Sequence, residues 1–182
     1  MRKLAFALAA SGAIALCVPS APVAASFETI EAKEAATDAA AVARQDMLEA
    51  FGEKSLKAGQ YLWRADAGDG EPRVVISLSD QLAYLYKGST LVAVSTISSG
   101  RPGKDTPTGV FPILEKQRFH KSLKYENAPM PFMQRIDKYG IALHAGHLPG
   151  VPASHGCVRL PGDFAAKLYN VTEVGTPVYI GA

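Results

Sequence analysis

From Arg73 the chain runs RVVISLSDQLAYLYKGSTLVAVSTISSG, and the spacing of its breaks limits what it can fold into. β-Branched and aromatic residues fill three short runs, Leu82, Tyr84 and Tyr86 alternate in the middle one, and Ser79-Asp80 and Lys87-Gly88-Ser89 separate them. Such residues suit a pleated surface, and period-two alternation belongs to strands rather than helices. Three short strands joined by tight turns predict an antiparallel meander. Strand-like pieces recur further on, at Val110 to Glu115 after the Gly/Pro-dense GRPGKDTPTG, at GIALHAG, and at the closing TPVYIG. GDFAAKLYN predicts a short helix from about Asp163 to Tyr169. QRFHKSLKYENAPMPFMQRIDKY has no clear period, and its Pro129 and Pro131 predict an irregular excursion. The sum is a mainly β domain over residues 59–182 with one or two short helices, whose loops are where chemistry would sit.

Residues 26–58 differ in texture. They are rich in Ala, Glu and Lys, lack Pro, and carry a thin apolar stripe of Val42, Met47, Leu48 and Phe51, so a helical N-terminal region is expected, loosely docked or mobile. With 182 residues, 48% of them hydrophobic and 20% charged, the chain suffices for one good core plus such an appendage. Ahead of it, Arg2 and Lys3 precede an apolar run from Leu4 to Val18, followed by the small residues of PVAA. That order predicts a signal peptide over residues 1–25, cut after about Ala25, and an exported protein of the periplasm or cell wall. The run is shorter than the roughly 20 apolar residues of a spanning helix and is followed by Pro19 and Pro22, which argues against a retained membrane anchor. Cys17 follows the bulky Leu16, which argues against a lipoprotein signal.

Cleavage there has two consequences. Taking Arg2 and Lys3 from 19 basic residues leaves 17, against 17 acidic ones, so the mature chain is formally neutral and composition gives no case for nucleic acid or an anionic membrane as partner. Cys17 also goes, which leaves Cys157 alone in a compartment where thiols normally pair.

LHAGHLPGVPASHGCVRL, residues 143–160, holds that cysteine and three of the four histidines. A cysteine is a good nucleophile as thiolate, so an imidazole, a helix start or a ring of backbone N–H groups is expected beside a reactive one, lowering its pKa. Around Cys157 stand His144 on the preceding strand, His155 two residues away, and a helix a few residues later. Gly156 gives the backbone freedom to turn N–H groups toward an oxyanion, and Arg159 is suited to a carboxylate. These parts suffice for acyl transfer through a thioester, with no metal or other cofactor. The blander alternatives are a buried, inert thiol and solvated histidines at His120 and His147. A zinc site of His144, His147, His155 and Cys157 is the sharper rival, but its spacing lacks the usual close ligand pairs.

SHGCVRL at 154–160, preceded by a strand ending IALHAG, resembles the signature of the L,D-transpeptidases, the YkuD-type catalytic domain. VVISLSDQLAYLY resembles the family's opening strand pair, STISSGRPGKDTPTGVFPI its Thr-Pro-Thr-Gly segment, and NAPMPFMQRI the strand that approaches the site; together these cover roughly residues 59–180. The resemblance implies a YkuD-like β-sandwich or barrel. It also implies Cys157 as nucleophile and His144 as its base, oriented by the Ala145 carbonyl. His155 and Gly156 then shape the nucleophile loop and oxyanion site, Ser154 fills the motif's Ser/Thr position, and Arg159 contacts substrate. The interval from His144 to Ser154, nine residues, is shorter than in most members, and His147 lies close enough to compete as base.

The implied substrate is the peptidoglycan tetrapeptide stem, with release of the terminal D-alanine and transfer to an amine of a neighbouring stem in a 3-3 cross-link. A wall-attached protein is a further possible acceptor, and water would make a carboxypeptidase. A hydrolytic relative cleaving a peptidoglycan-linked amide and a non-catalytic wall-binding module are the other classes. A depressed thiol pKa is expected of the enzyme and an ordinary one of the binder.

Overall fold

The computed structural model describes residues 27–52, 55–64 and 68–182; the expected signal peptide lies outside them. The chain begins with helix α1 (Ile30–Phe51), then strands β1 (Tyr61–Trp63), β2 (Pro72–Ser77), β3 (Leu82–Lys87), β4 (Thr90–Thr96), β5 (Gly109–Pro112), β6 (Glu115–Gln117), β7 (Met133–Arg135), β8 (Ala142–Ala145) and β9 (Val158–Leu160). Helix α2 (Gly162–Val171) and strand β10 (Pro177–Gly181) complete it. One sheet has six strands in the order β1-β4-β3-β2-β10-β5, the other four in the order β6-β7-β8-β9.

The expected meander forms: β2, β3 and β4 pair antiparallel in sequence order, Val75 opposite Tyr84 and Tyr84 opposite Val94. The closing strand β10 joins beside β2 in parallel, which local patterning does not reveal. Of the excursion expected over residues 117–139, β7 is a regular strand; residues 118–132 form no strand but are tied by the Lys121–Pro129 bridge and by four backbone bonds, Phe132 N–H to the Arg118 carbonyl, Met130 N–H to that of His120, Ser122 N–H to that of Ala128 and Ala128 N–H to that of Tyr125.

Alternation in the meander feeds two cores. Val74, Ile76, Ala83 and Leu85 point between the sheets, where they meet Leu143, Val158, Leu160 and Phe164 of α2. Val75, Leu82, Tyr84 and Tyr86 point to the opposite face, which α1 covers. Both faces of the large sheet are therefore buried, so its central strands are apolar on successive positions as well as alternate ones.

α1 starts where the Thr29 hydroxyl accepts from the Ala32 N–H at 3.1 Å and stops at Gly52, φ 76°. Its docked face is Ala36, Ala40, Ala43 and Met47, whereas Val42 is 55% exposed and takes no part. Small side chains let the helix lie close: a Cβ on Gly181 of β10 would stand 2.7 Å from the Ala36 carbonyl oxygen and 2.9 Å from the Thr37 Cα. Tyr86 further ties the layers, its hydroxyl donating to Asp46 Oδ2 at 2.6 Å. The helix is thus packed across the sheet rather than loosely tethered. No helix of the described residues is long and apolar enough to cross a membrane.

Candidate active site

β8 and β9 are parallel neighbours, with Leu143 opposite Val158, His144 opposite Arg159 and Ala145 opposite Leu160. Side chains alternate across a strand, so the set Leu143, Ala145, Val158 and Leu160 enters the core between the sheets. Ala142, His144 and Arg159 take the other face, and Cys157, one residue before β9, packs there against Met130, Met133 and Ala142. That face floors a cleft of about 560 Å³ whose lining includes Cys157, His144, Arg159, His155 and Tyr125.

The loop carrying Cys157 is held from within and from behind. The Ser154 hydroxyl donates to the Cys157 carbonyl at 2.5 Å and accepts from the Gly156 N–H at 3.0 Å. The Thr106 hydroxyl donates to the Gly156 carbonyl at 2.8 Å while accepting from the Gly100 N–H at 2.9 Å. Gly156 adopts φ 114°, a conformation that side chains resist, and this is what folds the loop tightly enough for both contacts. Its own N–H and C=O being engaged, Gly156 contributes conformation rather than an oxyanion donor. Ser154, 1% exposed, likewise turns its hydroxyl to the loop and not to the cleft.

His144 is buried, and its Nδ1 lies 2.8 Å from the Ala145 carbonyl oxygen. A carbonyl only accepts, so Nδ1 carries the proton and Nε2 keeps its lone pair. Burial pulls the His144 pKa below the usual range; the Ala145 hydrogen bond opposes this, and Arg159 and His120 add to the lowering. Burial also pushes the Cys157 thiol up, Asp137 adds to the rise, and the Ala142 N–H and Arg159 oppose it. Sγ lies 3.7 Å from the Gly140 carbonyl, to which a protonated thiol donates. The resting pair is thus neutral thiol and neutral imidazole. The lowered thiol pKa expected from the sequence is corrected accordingly, because desolvation outweighs the nearby positive charge, and with it goes the use of the thiol pKa to tell an enzyme from a wall-binding module.

The other histidines separate by environment. His147 is exposed at the cleft rim. His155 stacks on Tyr125 with ring centroids 4.4 Å apart, and its Nε2 lies 3.2 Å from Arg101 Nη2. His120, taken from the sequence as a surface residue, lines the cleft with Nδ1 2.8 Å from Gln117 Oε1. Arg159 is half-buried, its stem lying over Gly146, where a Cβ would sit 3.1 Å from its Cγ. Among the described residues no group of three or more His, Cys, Asp or Glu is arranged to hold a metal ion.

Sequence reasoning missed Thr106 as the outer anchor of the loop, although it opens the quoted Thr-Pro-Thr-Gly segment. It also missed Tyr125, which comes from the irregular excursion and carries no periodic signal, and it gave no individual role to Met130 and Met133 within the segment approaching the site or to Gly140 before β8.

The sequence profile of the YkuD family, the L,D-transpeptidase catalytic domain, matches residues 71–180. The chain belongs to this family. Among solved structures, the fold is similar to an L,D-transpeptidase from Mycobacterium smegmatis at 23% identity and TM-score 0.56, over 62% of this chain and 59% of that one. It is similar to one from Stackebrandtia nassauensis at 24% identity and TM-score 0.57, over 74% and 64%. A third, from Mycobacterium tuberculosis H37Rv, aligns at 26% identity and TM-score 0.53, over 60% and 57%. The chain spans about three-fifths of the length of these structures. No curated protein matches it. Of the segments that carry the YkuD resemblance, VVISLSDQLAYLY builds β2 and β3 of the large sheet and does not line the cleft, whereas Thr106 stands behind the nucleophile loop, Met130, Met133 and Arg135 line one side, and His144 and Cys157 lie on the floor.

Proposed function

We propose that this protein is a cysteine-dependent L,D-transpeptidase that acts on peptidoglycan tetrapeptide stems outside the cytoplasmic membrane. Residues 59–182 form the catalytic unit, and residues 1–25 direct export. What supports this most is that Cys157 and His144, the latter with Nδ1 held by the Ala145 carbonyl so that Nε2 is its basic nitrogen, line one cleft within the matched YkuD segment.

In the proposed mechanism, the stem carbonyl displaces the Gly140 carbonyl as neighbour of the thiol. His144 Nε2 takes the thiol proton as Sγ attacks the penultimate peptide carbon. Collapse of the tetrahedral adduct breaks the C–N bond, and His144 returns that proton to the departing D-alanine amine. The thioester is then attacked by the amine of a second stem; His144 takes the amine proton and gives it to Sγ as the C–S bond breaks, leaving a 3-3 cross-link. Splitting amide exchange into two acyl transfers lowers each barrier, and the proton transfers contribute about 10²- to 10⁴-fold. Arg159 is suited to a stem carboxylate, its guanidinium being half-buried in the cleft without an acidic partner among the described residues.

The test is mass spectrometry of purified disaccharide-tetrapeptide incubated with the protein and with its Cys157→Ala variant. Dimers lacking one D-alanine, absent from the variant, are the expected products. Tripeptide alone makes water the acceptor, transfer only when a wall protein is added makes its lysine the acceptor, and no change in any sample sinks the transpeptidase reading.

A further inference from the structure

The only ion pair among the described residues joins Arg135 to Glu115 at 2.9 Å. The charges whose fields act on His155 are of one sign, those of Arg101, Lys104, Arg159 and Lys124. Arg101 donates from Nη2 to His155 Nε2 at 3.2 Å, and since a guanidinium only donates, this ring nitrogen accepts. The Lys104 N–H to Arg101 carbonyl bond of 2.8 Å closes the turn that presents Arg101. On the flat side of the imidazole lies Tyr125, with ring planes 28° apart, and Lys124 Nζ stands 5.7 Å from the Tyr125 ring centre. Lys124, Tyr125, His155 and Arg159 all line the cleft. Partial desolvation, then the fields of Arg101, Lys104, Arg159 and Lys124, hold His155 below the usual histidine range, which keeps the platform neutral.

Cations gathered without an ion-pair partner among the described residues repel one another, and that arrangement is relieved when an anion arrives. The chain as a whole is nearly balanced, 19 basic residues against 17 acidic, so this lip is a local segregation and not a reflection of net charge. A tetrapeptide stem carries one carboxylate at its terminal D-alanine and others on its side arms. Arg159 answers one of them.

Resting on the function proposed above, we propose that Arg101 and Lys124, grouped about the His155–Tyr125 stack, form a second carboxylate subsite, so that the donor stem is taken with two free carboxylates. A primary amide at the second position brings N–H donors against donors and removes the charge. The enzyme therefore discriminates against side-arm-amidated stems.

The experiment uses two disaccharide-tetrapeptides that differ only in one side-arm carboxylate made a primary amide. D-Alanine release is followed with the wild type, Lys124→Gln and Arg101→Gln, and both stems are titrated into the Cys157→Ala protein by calorimetry. Amidation is expected to lower kcat/KM about tenfold, chiefly through KM, with a matching loss of affinity in Cys157→Ala. Each substitution at Lys124 or Arg101 is expected to narrow that gap, and added salt to do the same, since exposed charges are screened over about 8–10 Å. Equal kcat/KM and equal affinity for the two stems overturn the subsite while leaving the transpeptidase reading intact. So does a variant that weakens both stems alike. Stronger binding of the acid form by a protein that turns over neither stem supports the subsite and sinks the activity instead.

Discussion

Thr106 donates its hydroxyl hydrogen to the Gly156 carbonyl at 2.8 Å, joining two segments fifty residues apart in the chain. The same oxygen accepts from Gly100 N–H, so one side chain ties the nucleophile loop to the segment that follows β4. Thr106→Val keeps the shape and removes both bonds, leaving a buried carbonyl unpaired. It is expected to cost about 1–3 kcal/mol in denaturant unfolding and, through displacement of Cys157, roughly 10- to 100-fold in kcat. Thr106→Ser is expected to restore most of both. Unchanged activity in the valine variant would show that the loop holds its geometry without this anchor.

The neutral resting pair has a pH signature. Burial raises the Cys157 pKa, so alkylation by iodoacetamide is expected to inflect at higher pH than for free cysteine. Asp137→Asn keeps the Oδ1 acceptor for the Tyr139 and Ile141 N–H groups and removes a negative charge, so it is expected to move the inflection down; Arg159→Gln is expected to move it up. An inflection below that of free cysteine would contradict this assignment.

His144 titrates below the usual range because it is buried, so the acid limb of turnover is expected below an ordinary histidine's pKa. The sign for stability follows from the same shift. The unfolded chain takes the proton more readily, so the contribution of neutral His144 is full above the unfolded value of about 6.5 and is lost as pH falls below it. Urea midpoints measured across that range, with His144→Gln as control, check it.

His144 and His147 compete on sequence but not in environment. His144→Gln is expected to reduce turnover by about 10²- to 10⁴-fold, and His147→Gln, at the exposed rim, by no more than a few-fold. A reversed order in steady-state assays would move the base to His147.

Gly181→Ala probes how closely α1 lies on β10. The new methyl meets helix backbone at Ala36 and Thr37, not a flexible side-chain end, so the helix must shift. A loss of about 1–3 kcal/mol in thermal or denaturant unfolding is expected. No loss would mean that the helix accommodates the methyl without strain.

The sequence by itself determined whatever is written in neighbouring residues. Alternation and turn chemistry specified the β2–β3–β4 meander, since a period of two cannot be satisfied by a helix and short turns leave no other partner. The sequence also marked Cys157, His144 and Gly156, because a thiol, imidazoles and a glycine stand together in one short stretch.

Only the tertiary structure decided what depends on distant segments. β10 enters beside β2 in parallel, and α1 docks through alanines that carry almost no hydrophobic signal but allow close approach. Tyr125 reaches His155 from an aperiodic excursion. The thiol pKa rises because burial by Met130, Met133 and Ala142 removes water from it, and desolvation is a property of the assembled cleft, not of the residues adjacent in the chain.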